Sequence, residues 1–400
     1  MSSAPNIFLS AGEASGEHYG AALIPALRAL YADARFFGLG GQRMQALGME
    51  RIVRAEDVAV MGITEVVRHL PRIYGEYLKL KRSIIERKPD LAILIDFPDV
   101  NLSLARTLHE QGTPVLYFVS PQLWAWKKYR IRKVQRYVDR MLVIFPFEEA
   151  FYQGHGVQAD FVGHPLTEVP LPTITRAEFA AAHHLDPAKH WVGLLPGSRG
   201  KEIRLNLPEM IAAAKQLGHE HEYVLPLAPT LTEAQRGHVR QMLAALTASA
   251  HDAAHDQAPR ITVVADARAT LHHARASIVA SGTATVEAAL IGNPFVVVYR
   301  VSPLSYAIAR RVVTVPHVAM ANLIADRRVV PELIQDDFTA ANIVREMQPL
   351  VASDRAREQM MTGLAEVRAK LSTPGSSAIA RVTKVAHEML QRRAALSRVR

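Results

Sequence analysis

Cysteine is absent from all 400 residues, which removes disulfides, thiolate metal sites and cysteine nucleophiles together. Long apolar runs are absent as well: no uninterrupted stretch approaches the roughly 18 residues that would suggest a membrane span. The opening MSSAPNIFLSAGEASGE has neither a basic start nor an extended apolar core, so no signal peptide is expected. No repeat of short period is present. What remains is an ordinary balance, 49% hydrophobic and 21% charged, which fits a globular enzyme, soluble or at most peripheral on a membrane. Its length exceeds what one core usually organises, so two domains are expected.

The charge is not balanced. A formal net charge of +9 calls for an acidic partner such as phosphate or anionic lipid. Residues 68–88 carry seven Lys/Arg against Glu76 and Glu86, and residues 127–140 carry seven more against Asp139. Both stretches interleave charge with Ile, Leu, Tyr and Val at helical spacing. Two readings stand: solvated helix faces, or a surface that meets anionic headgroups while apolar residues dip into the interface. No recognised DNA- or RNA-binding motif accompanies the charge, so nucleic acid is not expected as a partner.

Short β-branched runs alternate with amphipathic stretches, which predicts largely parallel sheets covered on both faces. Strands are expected at Asn6–Ser10, Arg35–Gly38, Leu91–Ile95, Val115–Val119, Met141–Phe145 and Ala159–Val162 in the first half. Trp191–Leu195, Tyr223–Leu227, Ile261–Val264, Ser277–Val279 and Phe295–Tyr299 continue the pattern in the second. Helices are expected at Gly16–Leu30, Leu70–Arg87, Leu102–Gln111 and Tyr129–Val138. Prolines at 165, 170 and 172 mark His164–Ile174 as a hinge. Thr247–Pro259 reads as a polar loop, and Ser377–Arg393 as a last amphipathic helix. The expected division is 1–168, a Rossmann-like first domain; 169–375, a Rossmann-like second domain; and 376–400, a C-terminal helix that can pack back on the first.

Two turns in the second half carry the strongest chemistry. LPGSRGKE (195–202) and ASGTATVEAAL (280–290) each follow an apolar strand and open a helix. Small residues at a helix start leave backbone N–H groups and the positive dipole end facing outward, a geometry suited to a diphosphate. Gly197 and Ser198 are the small residues of the first turn, Arg199 and Lys201 supply charge, and Arg199 can fork across two phosphate oxygens as lysine cannot. Ser281, Gly282, Thr283, Ala284 and Thr285 form the second turn. Glu287, further along that helix, could accept both hydroxyls of a ribose or could simply complement the dipole. No DxD-type metal motif flanks this region, so no metal is expected.

In the first half, AGEASGE (11–17) is not a Walker loop, because no Gly-Lys-Ser/Thr closes it. Glu13 and Glu17 would repel phosphate, so Gly12, Glu13 and Ser15 suit sugar hydroxyls or an acceptor; alternatively Ser15 caps the helix. GLGGQRM (38–44) lacks the third glycine of a dinucleotide fingerprint. DFPDVN (96–101) lies past the strand LAILI, where carboxylates of a parallel sheet face ligand. Asp96 and Asp99 sit where a general base could take a proton from a hydroxyl, or Asp99 caps a helix beginning near Asn101. HEHE (219–222) reads as a solvated loop, and Trp124 and Trp126 are either core or acyl-chain contacts, with core leading.

Taken in order, AGEASGE, GLGGQRM, VAVMGITEV (58–66), DFPDVN, VSPQLWAWK (119–127), FVGHP (161–165), LPGSRGKE, ASGTATVE and ANLIADRRVVPELIQ (321–335) resemble the lipid-A-disaccharide synthase family. These segments span about residues 6–340. The resemblance implies an α/β fold of two Rossmann-like domains facing a cleft, the GT-B glycosyltransferase architecture. It implies transfer of the sugar of UDP-2,3-diacylglucosamine to 2,3-diacylglucosamine 1-phosphate, with inversion, to give a β(1→6) disaccharide phosphate and UDP. Asp99 then stands as general base and Arg199 as diphosphate ligand, with the Ser281–Thr285 turn, Glu287 and Asn322 on the nucleotide side. No cofactor is implied. A cytoplasmic enzyme peripheral on the inner membrane follows, and a homodimer stays open. The rival readings are another GT-B enzyme of UDP-N-acetylhexosamine, such as a 2-epimerase, and a non-catalytic membrane-surface protein.

Overall fold

The computed structural model describes residues 4–58, 63–126, 128–228, 231–248, 259–302, 306 and 315–399. The chain divides into two compact units, residues 1–168 with 371–400, and residues 169–370. In the first, strands β1 (Asn6–Ala11), β2 (Arg35–Gly40), β3 (Glu50–Arg54), β4 (Leu91–Ile95), β5 (Val115–Phe118), β6 (Arg140–Val143) and β7 (Ala159–Phe161) form a parallel sheet of order β3-β2-β1-β4-β5-β6-β7. In the second, β8 (His190–Leu195), β9 (His221–Pro226), β10 (Arg260–Val264), β11 (Ala276–Ala280), β12 (Phe295–Tyr299) and β13 (Glu332–Ile334) follow the order β10-β9-β8-β11-β12-β13, also parallel.

Burial explains why these runs are strands. Every residue of β4, LAILI, is buried, as a parallel strand under two helical layers requires. In β9 neighbours point to opposite faces. Tyr223 and Leu225 join a core with Val192, Leu194, Met210 and Ile343, whereas Val224 joins Phe179 and Trp191 in a second core. The helices Gly200–Leu217 and Ala340–Ala352 cover the first of these faces.

The functional consequence lies in the strand orders. Each sheet reverses direction once, between β1 and β4 in the first unit and between β8 and β11 in the second. Crevices outside the carboxyl ends of strands at such switch points are where open α/β sheets take ligands.

The differences from the sequence reading fall at edges and ends. Strands β3 and β13 were not anticipated: β3 buries only Val53 fully, and β13 spans three residues. Strand β5 stops at Phe118, because Val119 adopts φ +62°. The helix Pro98–Glu110 begins four residues before the anticipated Leu102, since Pro98 tolerates a first-turn position that needs no N–H. The second unit closes at Lys370, so Leu371–Gly375, assigned by the sequence reading to the second domain, belong with the first. There His164 N donates to Leu371 O at 2.9 Å. The last helix, Ala378–Val399, packs against Ala14–Leu30, with Tyr31 Oη 2.9 Å from His387 Nδ1. Residues 59–62 of VAVMGITEV, Lys127 and residues 249–258 of the polar loop lie outside the described residues.

Candidate functional site

At the switch point of the first unit, β1 runs into Gly12 and Glu13 and then into the helix Ala14–Leu30. Glu13, not Ser15, is the N-cap, so the alternative of Ser15 as capping residue is set aside. Beside it β4 ends in a sharp kink. Asp96 (φ +49°) and Phe97 (φ +46°) are both left-handed, a conformation that costs on the order of 1–3 kcal/mol per non-glycine residue. A buried polar clamp holds it. Asn101 Nδ2 donates to the carbonyls of Asp96 (2.8 Å), Ile95 (3.2 Å) and Ser10 (3.4 Å). Ser10 Oγ donates to Asn101 Oδ1 at 2.5 Å, and Tyr117 Oη donates to Asp96 O at 2.6 Å. Gly12 is required opposite the kink, because a Cβ there would collide with the Phe97 ring.

The kink presses the Asp96 carboxyl into the protein beside Glu13. Burial, then the nearby Glu13 charge, push it up to about 7. Asp99 has a different setting. It occupies the first turn of Pro98–Glu110, where N-cap Phe97 precedes it, so the reading of Asp99 as helix cap is corrected. Its side chain is 70% exposed and pairs with Arg130. Glu17, the last residue of AGEASGE, accepts from Arg43 N at 2.8 Å and so ties this loop to GLGGQRM. Behind the site, buried Glu148 accepts from Ser120 Oγ (2.6 Å) and Trp124 Nε1 (3.0 Å), fixing the loop that follows β5. Trp124 is accordingly core, whereas Trp126 is exposed.

In the second unit, β8 leads through Pro196 into the helix Gly200–Leu217, with Arg199 at its N-cap. Two of this turn's backbone N–H groups are already taken by its own side chain. Glu202 Oε2 accepts from Ser198 N at 3.1 Å and Arg199 N at 3.2 Å, against Gly197. A carboxylate at the third helical position reaching back is a common device of helix starts. Beside the first N–H groups of the helix, which have no intrahelical acceptor, the turn carries side-chain charge: Arg199, 57% exposed, and exposed Lys201. Asn206, buried one turn on, donates to Pro196 O at 2.9 Å and accepts from Arg300 N at 3.2 Å, joining the loops after β8 and β12.

Next to it β11 leads through Ser281 to Gly282, the N-cap of Thr283–Ile291 at φ +149°. Only glycine takes that backbone readily. Gly282 and Thr283 are exposed, and Ser281 and Ala284 half-buried. The first N–H groups of such a helix have no intrahelical acceptor. A terminus of this kind suits an anion. Thr285 is different: its hydroxyl donates to Gly282 O at 2.7 Å and is buried, so it shapes the turn. Glu287 is half-buried one turn from Thr283, 3.7 Å from Arg268. Asn322 is fully buried. Its Nδ2 donates to Val330 O and Glu332 Oε1, and its Oδ1 accepts from Val329 N and Val330 N. It braces the segment 326–332 from within, so its amide is engaged by protein groups and not exposed for the nucleotide contact that the matched segment implied.

The first unit thus gathers Gly12, Glu13, Ser15 and Asp99, and the second gathers Gly197, Ser198, Arg199, Lys201, Ser281–Thr285 and Glu287. Sequence reading missed Asn101, Asn206 and Arg268. Asn101 and Asn206 lie inside or just past the quoted motifs, but a buried amide and a ligand-facing one look alike in sequence. Among the described residues, no three His, Asp or Glu side chains cluster to hold a metal ion, HEHE included.

Comparison with known proteins narrows what this arrangement is. The sequence profile of the lipid-A-disaccharide synthetase family matches residues 7–383. The lipid-A-disaccharide synthase of Koribacter versatilis is 54% identical over 368 residues, 92% of this chain and 93% of that protein. That of Geobacter metallireducens is 42% identical over 397 residues, 98% and 99% of the two chains. Among solved structures, a UDP-glucose:anthocyanidin 3-O-glucosyltransferase in complex with UDP superposes with a TM-score of 0.62, at 12% identity and covering 98% of this chain and all of the other. A UDP-GlcNAc 2-epimerase from Neisseria meningitidis bound to UDP-GlcNAc gives 0.56, at 12% identity, covering 97% and 99%. These two share the fold, which is the GT-B architecture. With a profile match over nearly its full length and relatives at such identity, the chain belongs to the lipid-A-disaccharide synthetase family.

Proposed function

We propose that this protein is an inverting glycosyltransferase joining UDP-2,3-diacylglucosamine to 2,3-diacylglucosamine 1-phosphate, giving the β(1→6)-linked disaccharide 1-phosphate and UDP. The observation that supports this most is the division of charge between two switch points: carboxylates at one, cations and a helix N-terminus at the other. In the reaction the acceptor 6-hydroxyl oxygen bonds to donor C1 as its proton passes to Asp99. The C1–O bond to the diphosphate breaks, and its electron pair leaves with UDP. Arg199, Lys201 and the start of Thr283–Ile291 receive that charge. Glu287 accepts the ribose hydroxyls, while Gly12, Glu13 and Ser15 hold sugar hydroxyls of the acylated substrates.

Release of UDP from the acylated donor, followed with and without acylated acceptor, tests the assignment. Release that requires the acceptor is the expected result. Conversion of the donor alone would transfer the protein to the 2-epimerase reaction, and no nucleotide release under either condition would remove the enzymatic reading.

The acylated substrates place the enzyme at a membrane surface, in this reading the cytoplasmic face of the inner membrane. No helix among the described residues is long and apolar enough to cross a membrane. The helix Ile63–Arg87 and the segment 126–136 instead expose Tyr74, Leu78, Ile85, Trp126 and Tyr129 beside Lys79, Arg82, Lys128, Arg132, Lys133 and Arg136. Apolar and aromatic groups among exposed cations suit an anionic interface. Co-sedimentation with phosphatidylglycerol-containing vesicles is expected to fall steeply as salt rises to about 0.5 M, because the Debye length shrinks below about 5 Å. Binding unchanged by salt would eliminate the electrostatic contribution.

A further inference from the structure

We infer that Arg268 is the positioning residue of the nucleotide site, fixing the Glu287 carboxylate in the charge state and orientation that receive the ribose hydroxyls. The inference rests on the reading of Glu287 given above. Arg268 is the second residue of the helix Ala267–His273, capped by Asp266, whose Oδ1 accepts from Ala269 N at 2.9 Å. One arm of its guanidinium is anchored on main chain: Nη2 donates to Pro170 O at 3.1 Å and to Val169 O at 3.4 Å. The other arm, Nη1, is buried with no hydrogen-bond acceptor and stands 3.7 Å from Glu287 Oε1.

This arrangement differs from an ordinary surface pair. Both side chains are largely covered, with 22% and 23% exposed, so the interaction is weakly screened. The guanidinium is tied to two carbonyls and cannot follow the carboxylate. It stands beside one Glu287 oxygen, Oε1. Burial pushes the Glu287 carboxyl up, Arg268 pulls it down, and Asp266 adds a smaller upward push. The helix Thr283–Ile291 also packs against Met320–Ala325, which carries no charged residue. Arg268 is therefore the counter-charge, among the described residues, that opposes burial and Asp266.

The sign of the consequence follows. An ionised carboxylate accepts two hydroxyl protons, whereas a protonated one loses an acceptor. Without Arg268 the carboxyl rises, so UDP binding should weaken at a higher pH than in the wild type.

Calorimetric titration of the full-length protein with UDP and with 2′,3′-dideoxy-UDP, from about pH 5 to pH 8, tests this. Wild type is expected to prefer UDP. Arg268→Met should lower UDP affinity about tenfold at neutrality, shift the acid limb upward by about one pH unit, and reduce the preference for the ribose diol. Arg268→Lys, which keeps the charge, should return the limb toward its wild-type position and covers the case in which the methionine variant does not fold. If wild type binds both nucleotides equally, Glu287 is not the ribose acceptor and the inference falls with that reading. If wild type discriminates but Arg268→Met keeps its affinity, limb and preference, the inference alone is overturned. An equal loss for both nucleotides at every pH would also overturn it, leaving Arg268 a structural residue.

Discussion

Asp99→Asn is expected to lower turnover by about 10²–10⁴-fold, the usual contribution of a positioned general base, while the fold survives. The substitution is nearly isosteric, so it removes proton affinity and little else. The structural cost is small: the side chain is 70% exposed, and exposed ion pairs contribute roughly 0–1 kcal/mol. A first-turn carboxylate adds about 0.3–1 kcal/mol through the helix dipole, which the amide forfeits. Saturating UDP-release assays beside thermal unfolding would separate the two effects. Asp96→Asn belongs in the same series, because Asp96 lies three residues away and its carboxyl is pushed up to about 7 by burial and by Glu13. A group titrating there is half-ionised at neutrality and could serve as base itself. Near-normal turnover in Asp99→Asn with collapse in Asp96→Asn would move the base to Asp96.

The parallel sheets could be read from sequence because β4, β8 and β11 are short apolar runs with helical patterns between them. Edge strands escaped for the opposite reason. ERIVR in β3 buries one residue fully, so its alternation is faint. The division of the chain was legible at the prolines near 165–172, but the return of Leu371–Gly375 to the first unit depends on a main-chain hydrogen bond to His164, which no local pattern announces. The motifs marked the right turns and left the roles inside them unresolved. LPGSRGKE was read as a cradle of amides, yet its own Glu202 occupies two of them. Asn322 sits in a matched segment but spends its amide on Val329, Val330 and Glu332. The kink at Asp96–Phe97 is only half legible in DFPDVN: the clamping Asn101 lies inside the motif, but Ser10 and Tyr117, which complete the clamp, are far away in sequence.

The occupation of those two amides raises the expected effect of Arg199→Ala. Since Glu202 satisfies Ser198 N and Arg199 N, the proposed diphosphate contact at the turn after β8 leans more on the Arg199 guanidinium and Lys201. Backbone N–H groups without intrahelical acceptors remain at the starts of both Gly200–Leu217 and Thr283–Ile291. Removing the fork should therefore cost about 2–4 kcal/mol of transition-state stabilisation, roughly 30- to 1000-fold in kcat/KM for the donor. Stability should barely change, because the side chain is 57% exposed and its contact with Glu202 is long, at 3.6 Å. Arg199→Lys retains charge without the two-pronged geometry, so it should fall between. The charge on the leaving group grows as the C1–O bond breaks, so the loss should appear in kcat as well as in UDP affinity. An alanine variant with wild-type kcat/KM and wild-type UDP affinity would remove Arg199 from the diphosphate site.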